Sequence, residues 1–368
     1  MKRSLPLIAG LLLVFAAGAF AAGQGEKSKG PAALPPELQK IKDAGGQYAV
    51  FEALRQAADA GQQYPGLPGK GKTLGFANIY GTLPFCVAVQ KSIGDQAKLA
   101  GFDANSLYIV DNQYNSTLGL KNADIILAKH PDVFVEYQAD SKVNAVVAQK
   151  YGAAGIPLVA IDVPVPTAPF VGINNPQVAI DDGKTLASLI RQKWGGWDSV
   201  DLVVILQNPV GGEVTMQRSD GVETQLMAEF GDAAKAKIVK LDGGTGETDQ
   251  AKQAMANVLA AHPTAKKIAF TSLNDETAAG GVAALQDAGR WSQNDVINVT
   301  LGCDDLGQSM LRSHQADASI AFLPEHYGNF VVAAAIARIY GQPVPDNIFV
   351  KTVVVTLANL DQYYPPKK

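Results

Sequence analysis

The chain has 368 residues, 18% of them charged, with a formal net charge of −4 and no basic run of the kind that grips nucleic acid or an anionic membrane. That length supports two lobes with substantial cores, and two cysteines, Cys86 and Cys303, exclude a disulfide framework. The four histidines, His130, His262, His314 and His326, lack metal-ligand spacing, so neither metal nor cofactor is expected.

In chain order, Lys2 and Arg3, the apolar stretch Leu7 to Phe20 and the small-residue site Ala19-Phe20-Ala21 form the pattern of a secretory signal peptide. Residues 1–21 are expected to be removed, leaving a mature start at Ala22 and a net charge of about −6. Gly10, Gly18 and the polar Gln24 to Lys27 favour a cleavable segment over a membrane anchor, and no cysteine follows for lipid attachment. A periplasmic protein without stable membrane insertion is expected.

Residues 22–71 stand apart. Pro31, Pro35 and Pro36 precede a helix-prone stretch from Glu37 to Ala60, closed by Tyr64-Pro65-Gly66-Leu67-Pro68-Gly69. The segment is either an accessory helical element packed through Phe51 and Leu54 or a solvated, partly mobile arm.

Beyond it, strands and helices alternate. Strands are expected at Thr73 to Ile79, Ser106 to Val110, Val133 to Tyr137 and Pro157 to Ile161, with helices at Phe85 to Ala100, Ser116 to Lys129 and Lys142 to Ala153. After the turn-like Asn174-Asn175-Pro176 the pattern restarts, with strands at Leu202 to Leu206, Lys237 to Leu241, Ile268 to Thr271, Val296 to Leu301 and Ser319 to Phe322. Helices there include Ala278 to Ala288 and Tyr327 to Tyr340. The strands are short apolar runs, which predicts parallel sheets covered on both faces. One unit is written twice, a helix stopped by His130-Pro131 or His262-Pro263 and followed by an apolar strand. The fold class is therefore α/β, with two similar doubly wound lobes and a cleft at the carboxyl ends of their strands.

The order of motifs from about Lys72 to Val355 resembles the type I periplasmic binding proteins of the ribose and galactose kind. The matching pieces are Leu83-Pro84-Phe85, Asp111-Asn112-Gln113 and Ile156-Pro157 to Asp162 in the first half. In the second they are Arg218 three residues before Gly221, Asn274-Asp275-Glu276, Gly302-Cys303-Asp304 and Ile320-Ala321-Phe322-Leu323-Pro324. The resemblance implies a three-stranded hinge with crossings near residues 174, 323 and 352. One lobe would comprise 72–174 plus 323–351 and the other 175–322 plus 352–362, with a tail at 363–368. It also implies a monomer that captures a small carbohydrate or polyol and delivers it to an ABC permease and ATPase complex or presents it to a chemoreceptor.

Physical chemistry gives the same residues plausible work. Sugar hydroxyls both donate and accept, so carboxylates, amides and the arginine fork suit them, and Asp162, Arg218, Asn274 and Asp304 supply that set. The carboxylates are otherwise helix caps or turn formers, and Arg218 a surface ion pair. Phe85 stacks on a sugar ring or packs in the core. Against the ribose pattern, Leu83, Cys86, Val163 and Phe322 replace polar or differently shaped residues, which makes ribose itself doubtful; Glu136 or Tyr137 could restore polarity. Phe322 and Tyr137 join the expected ligand-binding set.

Cys86 and Cys303 are expected one per lobe, as buried thiols or as a bond that would lock the lobes shut. Gly243 to Thr248 lacks the lysine of a nucleotide loop and reads as a turn, and Trp194-Gly195-Gly196-Trp197 as a helix stop. No nucleophile with an orienting base accompanies the cleft, so a non-enzymatic binding protein is expected, the alternatives being an exported enzyme acting on a sugar or a binder of a less polar solute. The export signal and the lack of an N-terminal DNA-reading helix pair exclude a transcription regulator.

Overall fold

The computed structural model describes residues 31–366; the expected signal peptide at 1–21 lies outside them. The described chain opens with helices α1 (Pro36–Ala44) and α2 (Ala49–Asp59). Next come β1 (Leu74–Asn78), α3 (Pro84–Leu99), β2 (Leu107–Asp111), α4 (Ser116–Leu127), β3 (Val133–Glu136), α5 (Ser141–Ala154), β4 (Leu158–Ile161) and β5 (Phe170–Gly172). A second series follows: α6 (Asn175–Trp194), β6 (Leu202–Gln207), α7 (Glu213–Phe230), β7 (Ile238–Asp242), α8 (Thr248–Ala261), β8 (Ile268–Thr271), α9 (Asp275–Asp287), β9 (Val296–Gly302), α10 (Asp305–Arg312) and β10 (Ala318–Ala321). The chain ends with α11 (Tyr327–Ile339), β11 (Asn347–Phe349), β12 (Val353–Val355) and α12 (Leu360–Tyr363).

The strands form two six-stranded sheets, ordered β11-β5-β4-β3-β1-β2 and β12-β10-β9-β8-β6-β7. Every pairing is parallel except β10 with β12. The inner strands β1, β3, β4, β8 and β10 are buried along their whole length, as parallel strands covered by helices on both faces must be. Sequence periodicity missed β5, β11 and β12, each of three residues, because so short a segment shows no period.

Local chemistry sets the helix ends. Asn115, Asp140 and Asn174 cap α4, α5 and α6 by accepting from backbone N–H groups in the first turn. Gly155 and Gly195 end α5 and α6 in the left-handed region. Both helices expected to stop at His-Pro stop just before it, at Leu127 and Ala261.

Three segments join the two sheets: the passage from β5 into α6, the return from β10 through Leu323 into α11, and the short link from β11 to β12. Leu323 takes φ +50, a left-handed turn that redirects the chain toward α3, on which α11 packs.

The N-terminal helices are part of the first lobe. Val50, Phe51, Leu54 and Ala58 form a buried stripe on α2 that meets α11, an almost wholly apolar helix. A hydrogen-bond chain locks the arrangement: the Tyr64 hydroxyl donates to Gln96 Oε1 at 3.1 Å, Gln96 Nε2 to Asn329 Oδ1 at 2.9 Å, and Asn329 Nδ2 to Asp59 Oδ1 at 3.0 Å. For residues 31–70 this is the packed helical element and not the solvated arm. At the other end, Tyr363 and Tyr364 are not free tail: α12 buries Leu360 in the second-lobe core, Tyr364 packs beside it, and Arg312 donates to the Tyr364 carbonyl.

Leu54→Ala should lower unfolding free energy by about 2–5 kcal/mol in urea denaturation, the cost of a cavity in a closed core; a change near zero would restore the loose arm.

Candidate ligand-binding site

A cavity opens where the carboxyl ends of the two sheets face each other. It leaves about 80 Å³ in which the centre of a water-sized sphere can move, several times the roughly 10–15 Å³ one water needs. Phe85, Tyr137 and Asp162 line it from the first lobe, and Arg218, Asn274, Asp304 and Phe322 from the second. All seven residues expected from the sequence therefore come together.

Asp162 follows β4 with φ +53, and its side chain fits only because residue 172 is glycine; a Cβ there would fall 2.5 Å from Oδ1. Its two oxygens accept from the hydroxyls of Tyr137 at 3.1 Å and Tyr327 at 2.9 Å. Burial raises its pKa, opposed by the charge of Arg218 and by both tyrosine bonds.

Arg218 is buried on α7, not in a surface ion pair. Its Nε donates to Asn175 Oδ1 at 2.8 Å and its Nη1 to the Leu273 carbonyl at 2.9 Å, while its guanidinium carbon lies 5.0 Å from the centre of the Phe322 ring. Asn175 belongs to the first crossing, so the hinge itself aims the arginine. Gly221, one turn further along, lets α7 press against Ala179 of α6.

Phe85 does both things expected of it. It lines the cavity and packs edge-on against Phe322 and Tyr327, at centroid distances of 6.2 and 5.6 Å, joining the cores of the two lobes. Asn274 and Asp304 are helix caps as well as lining residues. Asn274 Oδ1 accepts from Thr277 N and its Nδ2 donates to the Gly246 carbonyl at 3.0 Å, which commits the amide within its own lobe. Asp304 Oδ1 accepts from Leu306 N and Gly307 N, leaving its second oxygen toward Glu276.

The geometry matches a known architecture. A family model of the periplasmic binding protein domain matches residues 74–343. The chain belongs to the periplasmic binding protein family. Among curated relatives, a xylitol-binding protein of Mycolicibacterium smegmatis is 27% identical over 192 residues, 51% of this chain and 52% of that protein. A D-ribose/D-allose-binding protein of Pseudomonas aeruginosa is 29% identical over 197 residues, 51% of this chain and 57% of the relative. The chain thus spans little more than half the length of these relatives. An ABC transporter periplasmic solute binding protein from Actinobacillus succinogenes, crystallised with D-allose, shares the fold with a TM-score of 0.66 and 21% identity, covering 79% of this chain and all of that one.

In this periplasmic binding protein, sequence reasoning missed Glu276 as a separate wall residue. The motif Asn274-Asp275-Glu276 was visible, but without the helix's rotation nothing said which side chain enters the cleft. Glu276 is almost fully buried with Oε1 unpartnered, and burial together with the Asp304 charge raises its pKa. Asp275 lies beneath, accepting from the Thr300 hydroxyl and from Asp304 N at 2.9 Å, and so ties the β9–α10 turn to α9. Among the described residues no acidic, histidine or cysteine cluster could hold a metal ion.

Three other expectations need refinement. The Gly243–Thr248 segment is a turn, yet it brings Thr245 to the cavity and the Gly246 carbonyl to Asn274. Cys86 and Cys303 are free, buried thiols rather than a lobe-locking bond. Of the pair Glu136 and Tyr137, only Tyr137 faces the cleft, because successive strand residues point to opposite faces. Glu136 is buried on the far side with Oε2 unpartnered, accepting only a long bond from Asn112 Nδ2 at 3.4 Å.

Burial raises the Glu136 pKa to about 8. Between pH 4.5 and 8 the folded protein therefore holds a proton that the unfolded chain has lost, so stability falls as pH rises through this window. Urea denaturation from pH 5 to pH 8 should show Glu136→Gln removing up to about 1.4 kcal/mol per pH unit of that slope; an unchanged slope would mean Glu136 is ionised when folded.

Proposed function

We propose that the protein is an exported, periplasmic solute-binding protein whose lobes close on one small carbohydrate or polyol and present it to an ABC importer. The observation that carries this reading is a cavity walled by both lobes, with Asp162 on one side facing the charge of Arg218 on the other. The relatives support a polyhydroxylated ligand, since those named above bind xylitol, ribose or allose, and the ABC transporter context of the D-allose complex supports an importer rather than a chemoreceptor. Binding without turnover is favoured over sugar chemistry. Burial, with the nearby carboxylates, keeps the Cys86 thiol protonated.

Closure is supported at the rim. Gly246, at φ +114, approaches Tyr114 so closely that a Cβ would lie 3.0 Å from the hydroxyl, and a Cβ on Gly212, at φ +79, would lie 2.9 Å from Ser141 Oγ. A ligand touching both walls favours this arrangement by its differential affinity for the closed form.

Thermal-shift screening of pentoses, hexoses and polyols should find a stabilising compound, a ligand at 100 times its dissociation constant adding about 2.7 kcal/mol; chemical conversion of that compound by the pure protein would reject the binding reading. With it in hand, calorimetry should show Arg218→Ala losing about 2–4 kcal/mol of affinity, and an unchanged Kd in the folded variant would remove Arg218 from the site. Small-angle scattering should show the saturated protein more compact than the free one, identical profiles counting against a hinge.

A further inference from the structure

The two walls of the cavity differ in kind. On the first lobe Leu83, Phe85, Cys86, Ala139 and Val163 line it beside three polar side chains, Tyr114, Tyr137 and Asp162, and both oxygens of Asp162 already accept tyrosine hydroxyls. Phe322 extends the apolar surface at the second crossing. On the second lobe, hydrogen-bonding capacity is left over. Arg218 uses Nε and Nη1 within the protein but not Nη2, and Asn208 uses its Oδ1 but not its Nδ2.

A fully hydroxylated sugar placed here would satisfy its hydroxyls along one edge and bury others against carbon, where an unmade hydrogen bond is costly. Replacing such a hydroxyl by hydrogen, or a hydroxymethyl by methyl, removes that cost and adds apolar burial. Resting on the carbohydrate-binding reading above, we infer that the cleft is specific for a deoxy sugar or deoxy polyol, a neutral ring or short chain whose hydroxyls line one edge and whose other edge is methyl or methylene. The hydroxylated edge lies on Arg218 and Asn208, and the deoxy edge on Leu83, Phe85 and Val163.

Matched pairs test this by titration calorimetry on the mature protein: D-fucose against D-galactose, L-rhamnose against L-mannose, 6-deoxy-D-glucose against D-glucose, and 2-deoxy-D-ribose against D-ribose. The expected result is at least one pair in which the deoxy member binds about tenfold tighter, or about 1.4 kcal/mol. If the parent sugar binds as well or better in every pair that binds, this inference fails while the solute-binding reading stands. If neither these sugars nor any polyol binds, the underlying reading fails, and this one with it. Val163→Thr, which keeps the side-chain volume and adds a hydroxyl to the apolar wall, should bring the preferred pair's ratio toward one; an undiminished ratio in a variant that melts like the parent protein would overturn the placement of the deoxy edge.

Discussion

The opposition of Asp162 and Arg218 is the constraint on which the rest of the molecule turns. Each is a buried charge in a different lobe, and each lobe by itself leaves its charge only partly compensated: two tyrosine hydroxyls for the carboxylate, one amide and one carbonyl for two of the guanidinium nitrogens. Burial raises the pKa of the first and lowers that of the second, and in both cases the opposite lobe's charge counters the effect. Isolated buried charge is expensive, so the lobes gain by facing each other in this one orientation. The crossings serve both groups, since Asn175, which orients Arg218, and Tyr327, which holds Asp162, each lie just past a point where the chain changes lobes.

A second economy runs through the cleft. Asn274 and Asp304 stand at helix N-termini because parallel α/β topology brings the helix following a strand to the sheet's carboxyl end. The same side chains that satisfy unpaired backbone N–H groups thus reach the cavity. The cap reading and the site reading of these residues were never alternatives, since one oxygen of Asp304 can cap while the other faces Glu276.

Much of this was legible in the sequence, for physical reasons that differ from element to element. Buried parallel strands such as Val133–Glu136 and Ile268–Thr271 are continuous apolar runs, and helices such as α11 are long enough to show themselves by composition. The gathering of Phe85, Asp162, Arg218 and Asp304 into one cavity was legible from the order of motifs, because strand ends in this topology converge. Illegible were features that depend on a neighbour. The stripe on α2 could be read as solvated or packed until α11 was seen opposite it, and Thr245 could be read as a mere turn residue until Asn274 was seen to hold the adjoining carbonyl. Glu136 and Tyr137 are adjacent, and only the pleat, fixed by pairing with β1 and β4, decides which of them enters the cleft.

The acidic residues of the second lobe complete the electrostatic account. Asp275, Glu276 and Asp304 are crowded into a buried corner, where like charges oppose one another's ionisation and desolvation opposes all three. Burial and the neighbouring Asp304 charge raise the Glu276 pKa, which favours its protonated form. A protonated carboxyl donates as well as accepts. The Glu276 carboxyl is hydrogen-bonded to Asp304, so its proton is held within the corner, and the donors left on this wall are those of Arg218 and the Asn208 amide. Were the corner fully ionised it would present acceptors alone and repel the polar oxygens of a neutral ligand. The crowding of three carboxyls is thus relieved within the corner, by a proton held between Glu276 and Asp304, and needs no second basic residue beside a cavity where Arg218 already supplies the positive charge.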